Sequence, residues 1–178
     1  MKTNIALIGF MGTGKTAVGQ ILARKLKLKF IETDTLIEAT AGKSIPQIFT
    51  DVGEIGFREL EIDITKTIAR KRRSVIACGG GLVLNRINVD RLRQGAVIVH
   101  LTASPAITLK RVSNQVGQRP LLDVDDPMSA IRDMLRFRKP FYDRAADITL
   151  NTSRLTPDAV AEQIIQKLKD HESYDWQK

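Results

Sequence analysis

The stretch Gly9-Phe10-Met11-Gly12-Thr13-Gly14-Lys15-Thr16 decides the fold. It fits the pattern G-x-x-x-x-G-K-[ST]. It also lies where that pattern acquires meaning, between an apolar segment, Asn4 to Gly9, and a helical one, Thr16 to Leu26. Val18, Ile21, Leu22 and Leu26 recur at helical spacing in the second segment. Glycines let the backbone turn back on itself, so that successive N–H groups face one point and can donate to phosphate oxygens. The helix beginning near Lys15 adds the positive end of its dipole. Lys15 can reach β- and γ-phosphates, and the Thr16 hydroxyl is a candidate ligand for Mg²⁺. Gly12, Thr13, Gly14, Lys15, Thr16 and Ala17 are therefore expected to cradle a nucleotide. Alone, the motif implies nucleotide binding and no particular reaction, because GTPases, motor ATPases and kinases share it.

Outward from this loop, strand-like and helical segments alternate. Leu28 to Ile31 reads as a strand, and Thr35 to Thr40 as a short helix stopped by Gly42. Ser44-Ile45-Pro46-Gln47 reads as a capping box with proline in the first turn. Ile55 to Arg70 is a long helix with Phe57, Leu60, Ile64 and Ile68 on one face. Ser74 to Cys78 is a third strand running into Gly79-Gly80-Gly81, Asn85 to Arg93 a helix, and Ala96 to Leu101 a fourth strand. Ser104-Pro105 opens another helix. Asn114 to Asp126 breaks the pattern with Gly117, Pro120 and adjacent aspartates, and reads as a mobile loop of the kind that serves as a lid. Met128 to Phe137 is helical and Ile148 to Asn151 is a fifth strand. Thr156-Pro157-Asp158 opens a terminal helix that turns Val160, Ile164, Ile165 and Leu168 inward. The alternation predicts an α/β protein with a parallel sheet covered by helices on both faces. It also predicts one domain over residues 1–170, with a lid about 112–126 and a frayed tail over 171–178.

Composition narrows the class. A length of 178 residues with 43% hydrophobic and 27% charged side chains is that of an ordinary globular domain. No apolar run approaches the roughly 20 residues that span a bilayer. The start, MKTNIALIGF, enters a strand without a cleavage-type ending, so no signal peptide is expected. The single cysteine, Cys78, excludes an intrachain disulfide and suits a cytoplasmic location; at the end of a buried strand it reads as structural rather than as a catalytic thiol. A net charge of +8 fits nucleic acid, an acidic membrane or an anionic small substrate. The run Ala69-Arg70-Lys71-Arg72-Arg73 reads as an exposed helix end, and aromatic residues at 5% are too sparse for a platform that stacks single strands. Neither a nucleic acid nor a membrane is expected as partner.

Four further features choose among nucleotide-binding proteins. They are Phe30-Ile31-Glu32-Thr33-Asp34 after the second strand, Gly53-Glu54 with Phe57-Arg58-Glu59-Leu60-Glu61, Cys78-Gly79-Gly80-Gly81, and Arg119-Pro120-Leu121-Leu122 followed by Arg138-Lys139-Pro140-Phe141-Tyr142. In this order and spacing, beside the phosphate loop, they resemble the shikimate kinase family over residues of about 5 to 157. The resemblance implies a three-layer P-loop fold with a five-stranded parallel sheet ordered 2-3-1-4-5, a helical substrate-binding segment at about 33–61 and a mobile lid. It implies transfer of the γ-phosphate of ATP to the 3-hydroxyl of shikimate on the route to chorismate and the aromatic amino acids. It further implies ATP and Mg²⁺ as cofactors, shikimate as the small-molecule partner, and a monomer.

The residues read separately agree with this. Asp34 closes a strand tip beside the phosphate loop, where open α/β sheets bind ligands, and can orient a hydroxyl or take its proton; the alternative is a helix N-cap. The resemblance assigns it to the substrate hydroxyls. Arg58 and Arg138 are guanidinium forks suited to a carboxylate, and Glu61, one turn after Arg58, can hold it in place; ordinary surface ion pairs are the alternative. The resemblance puts both arginines on the carboxylate of shikimate. Gly79, Gly80 and Gly81 suit close approach to backbone N–H groups, or else form a loose turn, and the resemblance places Gly80 at the substrate. Arg119 in the lid can stabilise charge on the transferring phosphoryl group, and by resemblance contacts ATP phosphates. Arg111 by resemblance packs on adenine, with Arg154 and Pro157 near a second adenine-contacting segment. Phe49 and Phe57 resemble walls of the substrate pocket, with plain core packing as the alternative. One position departs: the family carries aspartate, x, aspartate after the second strand, and Glu32 stands at the first of these, a position associated with the outer shell of Mg²⁺. A kinase for another small acidic alcohol such as gluconate, a nucleoside monophosphate kinase and a noncatalytic ATP-binding regulator are the competing readings.

Overall fold

The computed structural model describes residues 1–113 and 124–176. Its centre is β1 (Asn4–Ile8), in a five-stranded parallel sheet ordered β2-β3-β1-β4-β5. The other strands are β2 (Lys29–Glu32), β3 (Ser74–Ala77), β4 (Ala96–Thr102) and β5 (Ile148–Asn151). All residues of β1 and β3 are buried, as expected of strands covered on both faces. Side chains alternate. Ile5 and Leu7 pack with Val18 and Leu22 of α1 (Lys15–Leu26) and with Val160 and Ile164 of α7 (Pro157–Lys169). Ala6 and Ile8 join Ile64 and Ile68 of α3 (Ile45–Ile68) and Tyr142 of α6 (Pro127–Ala145) on the opposite face.

Register brings the site into being. Leu7 pairs with Ala77, Ala77 with Glu32, and Ile8 with His100, so the carboxyl ends of four strands lie level. The phosphate loop, Glu32 and the triple glycine all leave the sheet on that edge, where α/β sheets take ligands.

Several boundaries differ from the sequence reading. The helix α2 (Thr33–Ala41) begins two residues early, which makes Glu32 its N-cap residue and puts Asp34 inside the first turn. The capping box at Ser44 is present, with the Ser44 N–H donating to Gln47 Oε1 at 2.9 Å. From there α3 runs from Ile45 to Ile68 with a kink at Gly53 (φ 68°, ψ −173°), so the two expected helices meet at one residue. Helix α6 continues past Phe137, its expected end, with Pro140 inside it. Buried Ile131, Arg138, Tyr142 and Ala145 share one face of α6, and this packing offsets the hydrogen bond that Pro140 cannot donate, a loss of about 3 kcal/mol.

The tail expected to fray does not fray over residues 171–176. Lys2 N–H donates to Ser173 O at 2.8 Å and Asp175 N–H to Lys2 O at 2.9 Å, which pins the two termini together. Tyr174 is buried and meets Trp176 edge to face, 5.1 Å between ring centres. The buried Tyr174, with the partly exposed Trp176 against its ring, orders a segment too short to show periodicity. Most of the expected lid, including Arg119, lies outside the described residues. Among the described residues, no helix is long and apolar enough to cross a membrane.

Candidate active site

A cleft of about 340 Å³ opens over the carboxyl edge of the sheet. Its nucleotide side is the loop between β1 and α1. Gly14 caps α1 at φ 92°, a conformation open to glycine at little cost, and the first N–H groups of α1 face the cleft. Lys15 Nζ donates to Gly9 O at 2.8 Å and Phe10 O at 2.9 Å, so the loop holds its own lysine over the phosphate seat. Gly12, Gly14, Lys15, Thr16 and Ala17 line the cleft. Thr13 does not; it is buried, its hydroxyl donating to Phe10 O at 2.8 Å and its carbonyl accepting from Thr152 Oγ1 at 3.0 Å, and it braces the loop from below.

Arg111, on α5 (Pro105–Val112), lines the cleft and donates to Gly12 O at 3.0 Å and Thr152 O at 2.9 Å. It ties the phosphate loop to the end of β5. Arg154 and Pro157 are exposed on the segment beyond Thr152 and do not line the cleft.

The Thr16 hydroxyl donates to Glu32 Oε1, and Thr35 Oγ1 donates to Glu32 Oε2 at 3.2 Å. A hydroxyl and a carboxylate side by side, next to the phosphate seat, are hard oxygen donors of the kind Mg²⁺ accepts. Among the described residues, no three or more His, Cys, Asp or Glu side chains converge as a metal cage. Mg²⁺ ordinarily takes one or two protein ligands and completes its shell with phosphates and water, so these residues fit it.

The opposite wall carries the substrate candidates. Arg58 Nη1 donates to Glu61 Oε2 at 2.5 Å, while its Nε and Nη2 share Glu54 Oε1 at 3.3 and 2.8 Å. Burial weighs against the charge on Arg58, but Glu61 and then Glu54 more than compensate and raise its pKa above the ordinary value. Glu61 is 1% exposed. Burial pushes its carboxyl above the ordinary carboxylate range, and Arg58 pulls it back only in part. Arg138, 5% exposed, lines the same cleft as Arg58 and Lys15. Asp34, in the first turn of α2, also lines it, so its side chain faces the cleft rather than capping the helix. Phe49 and Phe57 meet at a tilt, 4.9 Å between ring centres; both line the cleft and both pack on the main core, so the two readings of these residues hold together.

The triple glycine serves side chains as much as backbone. A Cβ at Gly79 would stand 2.6 Å from Asp34 Oδ1 and 2.9 Å from Glu61 Oε1. A Cβ at Gly81 would stand 2.5 Å from Cζ of Arg58 and closer still to both Nη atoms. At Gly80 nothing would come within 3.5 Å. Gly79 and Gly81 therefore make room for two carboxylates and a guanidinium. None of the three has a positive φ, so no left-handed turn is involved.

Four contributors stand within the quoted motifs but received no role in the sequence reading. The Thr33 hydroxyl accepts from Gly79 N–H at 2.8 Å, and the Tyr142 hydroxyl donates to Gly80 O, so the glycine turn is held from both sides. Glu54 and Met11 complete the set, the first on Arg58 and the second in the cleft wall. Tyr142 stands four residues after Arg138, one helical turn away, a spacing that could have flagged it. Cys78 also lines the cleft, but burial pushes its thiol up to about 12, so it is protonated at neutral pH and is no nucleophile.

Residues 11–169 match the model of one protein family, described as shikimate kinase. The shikimate kinase of Caldanaerobacter subterraneus subsp. tengcongensis is 47% identical over 163 residues, spanning 92% of this chain and 94% of that one. The shikimate kinase of Thermodesulfovibrio yellowstonii is 45% identical over 164 residues, with the same coverage of 92% and 94%. Among solved structures, shikimate kinase from Acinetobacter baumannii in complex with shikimate superposes with a TM-score of 0.93 at 34% identity, over 97% of this chain and 96% of the other. Similarity at this level along nearly the whole length, on a fold with the matching strand order, means that the chain belongs to the shikimate kinase family.

Proposed function

We propose that this chain transfers the γ-phosphoryl group of ATP to the 3-hydroxyl of shikimate, giving ADP and shikimate 3-phosphate. The observation that carries the reading is one cleft lined by Lys15 and Thr16 on one side and by Arg58, Arg138 and Asp34 on the other. An anionic alcohol held between these groups has its carboxylate at the arginines and its hydroxyl toward the phosphate seat.

Each residue then has a task. The backbone of Gly12 to Ala17 and the Lys15 ammonium bind the phosphates and neutralise charge that grows on the transferring group. Arg58 and Arg138 grip the carboxylate, and Glu61 and Glu54 hold Arg58 in line. Asp34 accepts the hydrogen bond of the attacking hydroxyl and takes its proton as the bond to phosphorus forms. Gly79, Gly80 and Gly81 let the substrate lie close to the chain, with Phe49 and Phe57 as the apolar wall. Arg111 steadies the phosphate loop beside the base of the nucleotide, Arg154 and Pro157 flank that base, and Arg119 contributes a further cation at the phosphates. Thr16 and Glu32 would hold Mg²⁺, which when bound supplies Lewis-acid stabilisation of phosphate oxygens. Positioning and charge stabilisation account for most of the acceleration. The reading includes a monomer, since one chain supplies both walls of the cleft, and a cytoplasmic location, which the single cysteine suits.

The test is ADP release from ATP with Mg²⁺ in a coupled assay, with shikimate, gluconate or no acceptor. Shikimate-dependent release with little background supports the reading. Release stimulated by gluconate and not by shikimate refutes it, as does hydrolysis indifferent to acceptor.

A further inference from the structure

We propose that the aromatic face of Phe10, a residue of the phosphate loop, is the platform that orients Arg138 for the carboxylate of the acceptor. The inference rests on the reading of the cleft as a site for an anionic alcohol. The guanidinium Cζ of Arg138 lies 5.5 Å from the centre of the Phe10 ring, within cation–π range. Both partners are buried, Phe10 to 1% exposure and Arg138 to 5%. A desolvated guanidinium gains more from a ring face than an exposed one does.

The contact is built in by the helix that carries the arginine. Ile131, Arg138 and Tyr142 fall on one face of α6 at spacings of seven and four residues. Ile131 packs with Phe10 and Met11 in a small cluster of its own, closed by Val112 of α5. The same face of α6 is thus docked on the phosphate loop at Ile131 and on the glycine turn at Tyr142, with Arg138 between them. Gly80 lies beside it: a Cβ there would stand at ordinary contact distance, 3.5 Å from Gly9 O, 3.6 Å from Met11 N and 3.7 Å from Arg138 Nη1. The phosphate loop, the glycine turn and the guanidinium converge on one point. Phe10 is a positioning residue, because it touches the arginine and not the reacting atoms.

Three variants test this: Phe10→Met, which keeps an apolar side chain of similar length but loses the ring face; Phe10→Tyr, which keeps the face; and Phe10→Met combined with Arg138→Gln. Steady-state kinetics and thermal unfolding are measured on each. Phe10→Met should raise the KM for shikimate about five- to tenfold, with the KM for ATP and kcat within about twofold of the parent. Phe10→Tyr should keep the shikimate KM within about twofold even if its Tm falls. In the Arg138→Gln background, Phe10→Met should add no further rise, since the interaction it removes is already gone. Equal rises in both KM values with a lower Tm, or additive effects in the double variant, overturn the inference. A parent that turns shikimate over while Phe10→Met behaves like it overturns the inference alone. A parent that does not bind shikimate overturns it together with the reading on which it rests.

Discussion

Gly81→Ala is a one-methyl change that should disable the carboxylate clamp without replacing a functional side chain. The added Cβ would lie 2.5 Å from Cζ of Arg58, against an ordinary contact of about 3.5 Å, so the guanidinium must retreat by about 1 Å. It cannot retreat at no cost. Nη1 is held by Glu61 at 2.5 Å and Nη2 by Glu54 at 2.8 Å, and a displacement of that size stretches both beyond hydrogen-bond range. Glu61, 1% exposed, would be left without its cation. One charge-assisted bond is worth about 1.5–3 kcal/mol, so a loss of about 2 kcal/mol in holding the acceptor carboxylate corresponds to a roughly 30-fold rise in the KM for shikimate. The KM for ATP should stay within about twofold, because no atom of the phosphate loop is displaced. Gly80→Ala is a control for folding alone, since a Cβ there meets the protein only at ordinary contact distance, from 3.5 Å, and its Tm should match the parent. The assay is coupled ADP release over a shikimate titration at saturating ATP, then over an ATP titration at saturating shikimate. A Gly81→Ala protein with an unchanged shikimate KM would refute the claim that Arg58 works from this position.

Three further outcomes are expected. Glu32→Ala removes the carboxylate that accepts from Thr16 and should raise the Mg²⁺ concentration for half-maximal rate about tenfold, with Glu32→Asp closer to the parent; an unchanged Mg²⁺ titration would remove Glu32 from the metal's surroundings. His100 is buried against Tyr142, 4.6 Å between ring centres, and burial lowers its pKa from 6.5 to about 4, with Asp143 opposing and Lys15 and Lys139 adding to the fall. The unfolded chain therefore binds this proton first as pH drops, so stability should decline between pH 6.5 and about 4. In urea unfolding, His100→Phe should lose about 1–2 kcal/mol less than the parent between pH 7 and pH 5; equal losses would exclude His100 as the cause. Deleting residues 171–178 exposes the surface that Tyr174 covers and removes the Trp176 Nε1–H bond to Leu168 O at 3.1 Å. Denaturant unfolding should show a loss of about 2–4 kcal/mol with both KM values unchanged, and an unaltered midpoint would show the tail to be dispensable.

How much of this was legible in the sequence depends on the range of the interaction that produces each feature. The phosphate loop is local: its glycines, its lysine and the apolar segments on either side are contiguous, and strand, turn and helix follow from period and backbone freedom alone. The alternation of strands and helices likewise announced a parallel sheet with both faces covered, while the strand order came from family resemblance. Arg58, Glu61 and Asp34 were nameable because they stand in motifs that resemble the family's, and the chemistry of a guanidinium fork and of a carboxylate at a strand tip agreed with that assignment. What the sequence by itself could not decide was which groups meet. That Gly81 clears space for Arg58 and Gly79 for Asp34 and Glu61 depends on α2 and α3 crossing the end of β3, a contact between segments far apart in the chain. Local rules ended α6 at Phe137, short of Pro140, and left the tail loose, since they count the hydrogen bond proline forfeits and the entropy of a short segment. Tertiary burial of Tyr142 and Tyr174 outweighs both costs, and that burial exists only once the sheet has formed.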